Sequence, residues 1–380
     1  MPPANLPHPR PATISPDEFS ADRALLHVYQ LSAVIGSRPV GSRALDNALA
    51  YLEQQVLAIA ADRNLTKHNN NTIELHLQNQ TGAYILNEHT WQYTDITNLL
   101  VRVSSGDEAN SNALLLSAHV DSVWTGPGAA DDGLSCGVLL ELVRNLYAGP
   151  TVRSSVVFNF NGAEESGLQG AHAFIDFHRW GDNVTAFINL DNMGDRGPEL
   201  LFQSNHALWL LTRYIHSARR PFCSVLAQDV FATGLVPSST DFDIYATLND
   251  LPGVDVAVVD NSYTYHTVLD NMTYLSARTA QHIGDNFGPF VAKLASRAHF
   301  QGTSGSWVEK GDSQMPVFYD ILGVVAFVYP WHDQLVLNCV ALLGMTTLLL
   351  MSFFVRWSGN ISSLRDLLLD SVLPLLVASM

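Results

Sequence analysis

Residues 117–137 read SAHVDSVWTGPGAADDGLSCG, and this stretch decides the fold. An apolar run over residues 113–116 leads into it, and an apolar helical pattern over residues 138–143 leads out. We therefore expect a buried strand to carry His119 to its carboxyl end, and a glycine-rich loop to return Asp131 to the same place. Imidazole nitrogen and carboxylate oxygen are both good zinc ligands. Taken alone, however, the stretch fits an ordinary surface loop rich in glycine and aspartate equally well.

Asp121 lies two residues after His119. If the strand continues that far, the two side chains share one face, because successive side chains of a strand alternate. The Asp121 carboxylate is then expected to accept the second ring N–H of His119 and to fix its tautomer, as carboxylates do beside metal-bound histidines.

Composition limits the class of protein. The chain has 380 residues and is 47% hydrophobic, which is enough for one large core with a smaller part attached. Its formal net charge of -16 argues against a nucleic-acid partner. The three cysteines, Cys136, Cys223 and Cys339, include no close pair, so neither a cysteine zinc site nor a disulfide framework is indicated. A bridge between Cys136 and Cys223 stays open.

Apolar strands alternate with amphipathic helices, which predicts an α/β fold with a mainly parallel central sheet flanked by helices. The first helix is expected to begin at Ser15, with Glu18 closing a capping box. The predicted organisation, in chain order, is a flexible tail (1–14), the main domain (15–300), a linker with an apolar juxtamembrane segment (301–334), a transmembrane helix (335–355), and a cytoplasmic segment ending in a truncated second apolar segment (356–380).

Further candidate ligands follow other predicted strands. Glu164 and Glu165 follow the strand at 154–161, Asp191 ends the strand at 184–191, and His266 comes after the strand at 254–260. Each has a structural reading of its own: an acidic helix start, a solvated carboxylate and a structural histidine. Together with His119 and Asp131, however, they fall at the carboxyl ends of the strands, where α/β sheets bind ligands. Such a set without cysteine suits a pair of zinc ions sharing a carboxylate.

The order His-x-Asp, Gly-Ala-x-Asp-Asp, Glu-Glu, Leu-Asp and Tyr-His-Thr resembles the co-catalytic di-zinc aminopeptidases of metallopeptidase family 28. The resemblance covers residues 21–300 and is strongest to the fungal vacuolar membrane protease and endoplasmic reticulum metallopeptidase type. It implies a zinc-exopeptidase-like fold and two zinc ions per chain. The five implied zinc ligands are His119, Asp131, Glu165, Asp191 and His266, with Asp131 as the bridge.

The same resemblance implies roles for four further residues. Glu164 would be the general base toward a zinc-bridging water, and Tyr265 would stabilise the oxyanion. Asp121 would orient His119, and Asp241 would be another supporting carboxylate. The expected function is that of a membrane-anchored zinc metallopeptidase, an aminopeptidase acting on peptides. Two alternatives stay open: a glutaminyl-cyclase-like enzyme with a single zinc, and a non-catalytic binding ectodomain on the peptidase scaffold.

The C-terminal apolar segment predicts how the chain sits in a bilayer. Residues 335–355 are long and apolar enough to span it, and Arg356 and Arg365 follow. The positive-inside rule places that side in the cytoplasm and the main domain in the lumen. Six Asn-x-Ser/Thr triplets agree with a lumenal glycoprotein, since five precede the span: Asn64, Asn70, Asn79, Asn183, Asn271 and Asn360.

The expected location is the vacuolar membrane, with the endoplasmic reticulum membrane as the alternative. The membrane-type relatives carry an apolar span ahead of the peptidase domain and further spans after the first C-terminal one. This sequence shows neither, so we expect it to be a truncated version of a longer protein.

Overall fold

The computed structural model describes residues 6–105, 112–233, 235, 238–297 and 315–357. The strands in these ranges are β1 (Thr72–Leu86), β2 (His89–Ser104), β3 (Ala113–His119), β4 (Ser155–Asn161), β5 (Val184–Leu190), β6 (Arg196–Asn205), β7 (Gly253–Asp260), β8 (Pro316–Ile321) and β9 (Val325–Pro330). The α-helices are α1 (Ala21–Tyr29), α2 (Arg43–Ala61), α3 (Ser135–Ala148), α4 (Gln169–Phe177), α5 (Leu208–Ile215), α6 (Val225–Ala232), α7 (Asp241–Asp243), α8 (Ala277–Ala295) and α9 (Asp333–Trp357).

Seven strands form one mixed sheet in the order β1-β2-β4-β3-β5-β7-β6. The central pairs β4–β3, β3–β5 and β5–β7 are parallel, whereas the outer pairs are antiparallel. The predicted α/β fold is confirmed, with parallel pairing confined to the centre. From β3 the chain crosses to β4 on one side, and from β4 it returns past β3 to β5. This change of direction opens a crevice at the carboxyl end of β3, the usual ligand position in such sheets.

The two faces of the sheet pack against separate cores. Leu116, Phe158 and Ile188 belong to the core that includes α1, α2, α3 and α8. Their neighbours Leu115 and Phe187 belong to the core that includes α4. Because alternate side chains are buried on opposite faces, the central strands read as continuous apolar runs rather than as alternating ones. Every residue of β3 and β4 is buried.

Strands β1 and β2 form a hairpin that extends well beyond the part paired with the rest of the sheet. β2 pairs with β4 only from Leu99 to Val103. Its pairing with β1, in contrast, continues to Leu86 opposite His89. The outer half of the hairpin therefore extends past the sheet, on the side where β4 ends.

The N-terminal segment differs from the predicted flexible tail over residues 6–14. The Arg10 side chain donates to the Asp285 carboxylate at 2.6 Å, and the Arg10 backbone N–H donates to Gln281 at 2.9 Å. The segment therefore lies along α8. The predicted helix start at Ser15 is also wrong. The helix begins at Ala21, because the Ser20 hydroxyl accepts the Arg23 N–H and acts as the N-cap.

The segment predicted as a linker and apolar juxtamembrane stretch differs in its second half. Strands β8 and β9 form a hairpin that packs on the main domain, with Phe318 fully buried. The Asp320 carboxylate accepts the Cys223 N–H at 3.0 Å. Residues 301–314 and the predicted second apolar segment at 371–380 lie outside the described residues.

Helix α9 corresponds to the predicted transmembrane segment. Residues Asp333–Phe354 have a mean hydropathy of 2.1 and are almost entirely exposed. Their length and composition suit a bilayer span. Cys136 and Cys223 are both free and buried, and Cys339 on α9 is free and exposed.

Candidate metal centre

The predicted ligands converge at the carboxyl edge of the sheet. His119 is the last residue of β3, and Asp191 directly follows β5. Glu165 follows β4 by four residues, and His266 follows β7 after a short turn. Asp131 arrives from the other direction, in an irregular turn between β3 and α3. Parallel strands end at one edge, so residues distant in sequence meet there.

Asp131 lies at the middle of the cluster. Its Oδ1 is 3.0 Å from His119 Nε2, and its Oδ2 is 3.1 Å from His266 Nε2. Each imidazole also faces a second carboxylate. His266 Nε2 is 3.1 Å from Glu165 Oε2, and His119 Nε2 is 3.6 Å from Asp191 Oδ1. The arrangement contains two imidazole–carboxylate pairs joined by the two oxygens of one aspartate.

The unpaired ring nitrogens fit a metal. His119 Nε2 and His266 Nε2 are buried, and neither has a hydrogen-bond partner among the described residues. The Asp121 carbonyl lies 3.0 Å from His119 Nδ1. Nδ1 therefore carries the proton in the neutral ring, and the lone pair of Nε2 points at carboxylate oxygens. With a neutral ring that contact is repulsive, so either a metal ion or a second ring proton must lie between the nitrogen and the carboxylates. His119 also groups with Glu164 and Asp191, and with Asp131 and Glu165, at metal-binding spacing.

Burial and charge shift the site's pKa values in opposite directions. Burial alone would lower the pKa of His119, but Asp121, Asp131 and Asp191 outweigh it and raise that pKa well above 6.5. Burial also opposes protonation of His266, yet Asp131 and Glu165 raise its pKa to about 10.

The carboxyls respond in two ways. Burial raises the pKa of Glu164 well above its ordinary value, and the nearby Asp191 raises it further. Burial would also raise the pKa of Asp131, but its two imidazole neighbours lower it overall. The raised pKa of Glu164 reflects negative charge concentrated around it, which a bound cation would balance.

Asp121 acts differently from the expectation. β3 ends at His119, so Asp121 does not continue the strand face. The carbonyl of Asp121, rather than its carboxylate, is the nearer partner of His119 Nδ1; the carboxylate oxygen lies at 3.5 Å. The two carboxylate oxygens instead accept the backbone N–H groups of Glu164 and Glu165, both at 3.1 Å. Asp121 thus connects the end of β3 to the loop that follows β4.

Glu164 and Tyr265 border the cluster. Glu164 is 8% exposed, and its Oε2 lies 4.0 Å from His119 Nε2. The Tyr265 ring stacks on His266 with ring centres 3.7 Å apart. Asp241 is buried and accepts a hydrogen bond from Asn161 Nδ2 at 2.7 Å. It therefore lies under the end of β4, where a supporting role was expected.

Three supporting residues escaped the sequence reasoning. Asp132 accepts the His119 N–H at 3.2 Å. Asp270 accepts the N–H groups of Ala130 and Asp131 at 2.7 and 3.1 Å, and burial raises its pKa to about 6. Asp270 follows His266 by four residues, so its closeness to a ligand was a usable signal. Arg38 is fully buried beneath the loop at 120–128, and no local pattern marks it.

A row of polar side chains also crosses the sheet below the site. Asn159, Ser117, Asn189 and Asp255 stand side by side on β4, β3, β5 and β7. The Tyr245 hydroxyl lies 3.0 Å from the Ser117 hydroxyl and accepts from Asn159 at 3.1 Å. The sequence contains a signal for this row, because Ser117, Asn159 and Asn189 interrupt the apolar runs that precede the candidate ligands. Ser117 and Asn189 each lie two residues before a candidate ligand.

The fold and its converging side chains define an α/β protein with a cluster of carboxylates and imidazoles at metal-binding spacing. The chain belongs to peptidase family M28, whose sequence profile matches residues 98–291. It is 36% identical to endoplasmic reticulum metallopeptidase 1 of Mus musculus over 92% of this chain and 38% of that protein. It is 32% identical to the vacuolar membrane protease of Schizosaccharomyces japonicus over 83% of this chain and 35% of that protein. The family and type inferred from the sequence are confirmed.

The chain spans less than two fifths of the length of these curated relatives. Among solved structures, the LapA aminopeptidase of Legionella pneumophila has a similar fold, with a TM-score of 0.57, 18% identity, and 73% of each chain covered. A glutaminyl cyclase of Porphyromonas gingivalis has a TM-score of 0.54 and 18% identity, with 73% of this chain and 99% of that one covered. At these identities the similarity is one of fold.

Proposed function

We propose that this chain is the catalytic part of a membrane-anchored zinc metallopeptidase that removes residues from the amino end of peptides. The position of Asp131 carries the proposal. It presents one oxygen to each of two imidazoles, and each imidazole faces a further carboxylate. His119 and Asp191 would hold one zinc ion, Glu165 and His266 would hold the other, and Asp131 would join them. Zinc ions held there would supply Lewis acidity and an activated water.

The protein's own groups account for the proton transfers. Glu164 is largely buried at the edge of the cluster, with a carboxylate oxygen toward His119. As general base it takes a proton from the attacking water and passes it to the leaving amine. The Tyr265 hydroxyl donates a hydrogen bond to the oxyanion of the tetrahedral intermediate. Asp121 holds the Glu164–Glu165 backbone in place through both N–H groups.

The charge of the adjoining cleft favours an aminopeptidase. Among the described residues, the cleft that contains Glu164, Glu165, Tyr265 and His266 is lined by no lysine or arginine. A carboxypeptidase would need a cation for the substrate's terminal carboxylate. A free amino terminus, in contrast, suits a cleft whose titratable lining groups are two carboxylates, two imidazoles and a phenol.

Location follows from the anchor and the names of the relatives. Helix α9 would cross the bilayer and place the main domain in the lumen of the vacuole, with the endoplasmic reticulum as the alternative. The membrane and a peptide are therefore the proposed partners.

The test combines metal analysis with a substrate panel. The purified chain should bind about two zinc ions and release free amino acids from unblocked peptides, but not from N-acetylated ones. A value near one, with cyclisation of N-terminal glutamine, would favour the glutaminyl-cyclase alternative. Two bound zinc ions without hydrolysis of any peptide would favour a binding ectodomain.

A further inference from the structure

The catalytic cleft has a second wall that the metal centre does not explain. The cleft has a volume of about 640 Å³, and the loop after β4 and the Tyr265–His266 segment form one side. The tip of the β1–β2 hairpin also lines the cleft, through residues that we call the hairpin wall: Leu86, Asn87, His89 and Trp91.

Strand register explains which side chains face the cleft. Tyr84 pairs with Trp91, and Leu86 pairs with His89, so these four share one face of the hairpin. Tyr84 and Leu86 are buried, whereas Ile85 between them is 65% exposed. The hairpin tip is therefore two-faced, and Trp91 lies on the inner face.

Trp91 is fixed against the loop that carries the catalytic glutamates. Gly167 follows Glu165 by two residues and has a φ of +125°. A Cβ at Gly167 would lie 2.4 Å from the Trp91 ring, so the ring packs directly on the glycine backbone. The Tyr84 hydroxyl donates to the Gly167 carbonyl and locks the hairpin to the same point. The ring is half-buried by these contacts, and its remaining surface lines the cleft.

The lining defines what such a wall recognises. Glu164 and Glu165 are the only carboxylates that line the described cleft, and both belong to the metal-centre side. Near the hairpin wall a substrate meets an indole ring, a leucine, an asparagine and a histidine. An indole face offers a large contact area to apolar and aromatic groups and very little to a glycine. It also attracts cations through its ring quadrupole, so the ring disfavours small and acidic side chains.

We propose that Trp91 contacts the substrate and makes the enzyme selective for peptides with a large apolar side chain next to the scissile bond. This inference rests on the proposed peptidase function. It adds a specificity-determining residue outside the metal centre, supplied by a hairpin that extends beyond the sheet.

The test compares Trp91→Ala with Ile85→Ala, a matched truncation on the outer face of the same hairpin. Purified full-length chains are assayed with Leu-Gly, Phe-Gly, Gly-Leu and Gly-Gly. Removing roughly 60 Å² of apolar contact predicts about a tenfold loss of kcat/KM for the peptides with a large side chain at the recognised position. Gly-Gly should change little, and Ile85→Ala should leave every ratio as in the wild type.

The outcomes separate the inference from the function beneath it. If the wild type cleaves none of the peptides, the peptidase function itself fails. If the wild type cleaves them and Trp91→Ala keeps the wild-type ratio of large to small substrates, the role of Trp91 is overturned. If thermal melting shows that Trp91→Ala is unfolded, Trp91→Leu replaces it, because leucine still covers Gly167. The ratio of kcat/KM for large over small substrates should then fall by about threefold.

Discussion

Replacing Arg38 with methionine should destabilise the loop that leads to the bridging ligand. The Arg38 side chain is fully buried, and its guanidinium donates to five backbone carbonyls at 2.7–3.0 Å: Leu31, Gly36, Val120, Pro127 and Gly128. Three of these carbonyls belong to the segment between His119 and Asp131. Arg38→Met keeps the length and apolar stem of the side chain but removes every donor.

The contacts set the size of the effect. A buried carbonyl left without a donor costs about 1–3 kcal/mol. If the loop did not relax, the cost for all five carbonyls would be several times that value. Part of this free-energy cost is offset, because the variant no longer buries a charged guanidinium; burial lowers the pKa of Arg38. The loop can also move and admit water to the free carbonyls. After this relaxation we expect a net cost of about 3–5 kcal/mol, which corresponds to two or three of the five carbonyls remaining without a donor.

Arg102→Met is the matched control. Arg102 pairs with Glu74, but both side chains are partly exposed, and its guanidinium lies 5.2 Å from the Trp180 ring. Such a pair contributes about 1 kcal/mol or less. Thermal unfolding of the detergent-solubilised chains should therefore give a Tm for Arg38→Met about 5 °C or more below that of the control. Zinc content should also fall, since His119 and Asp131 flank the loosened loop. Equal melting temperatures for the two variants would refute the reasoning.

Three further predictions address the chemistry, the topology and the pH response. Glu164→Gln should lower kcat by about 10²–10⁴-fold with zinc retained, whereas Glu165→Gln should lower zinc content; normal turnover and zinc in both would make the pair structural. In the host cell the exposed sequon at Asn79 should be glycosylated and Asn360 should not, and mass spectrometry showing the reverse would invert the topology. Burial lowers the pKa of His27 to about 4, so the unfolded chain gains a proton first and stability should fall by about 2 kcal/mol from pH 7 to 5. His27→Gln should remove this loss of stability between pH 7 and 5. If the variant's free energy of unfolding depends on pH as the wild type's does, His27 is not the cause.

The sequence predicted that the candidate ligands would meet, because all of them except Asp131 lie at or shortly after strand ends. His119 and Asp191 come directly after apolar runs long enough to be buried strands, and the carboxyl ends of parallel strands must meet at one edge. Local pattern and global topology therefore point to the same place. Family resemblance then assigned expected roles, and the observed distances around Asp131 agree with those roles without testing the chemistry.

Other features depend on tertiary contacts that leave no local trace. Arg38 leaves no pattern in the sequence, because its acceptors are backbone carbonyls, two just before it in the chain and three in the distant 120–128 loop. Trp91 reads as a strand residue, and only the length and register of the hairpin bring it to the cleft. The predicted helix start at Ser15 failed because two good capping signals lie five residues apart. Ser20 is the one followed by residues whose burial against α3 and α8 repays helix formation.

The buried carboxyls near the site divide into two sets according to their hydrogen bonds. Asp121, Asp132 and Asp270 accept backbone N–H groups and so hold the loops. Asp131 and Asp191, in contrast, turn their oxygens toward imidazole nitrogens that have no hydrogen-bond partner among the described residues. Glu165 does both: one oxygen accepts the Val123 N–H at 3.0 Å, and the other faces His266. A carboxylate satisfied by amides needs no cation, whereas one that faces an imidazole nitrogen needs a metal ion or a ring proton between the two atoms. Adjacent acidic residues such as Asp131 and Asp132 can therefore have opposite roles, and the difference lies in their donors rather than in their residue type.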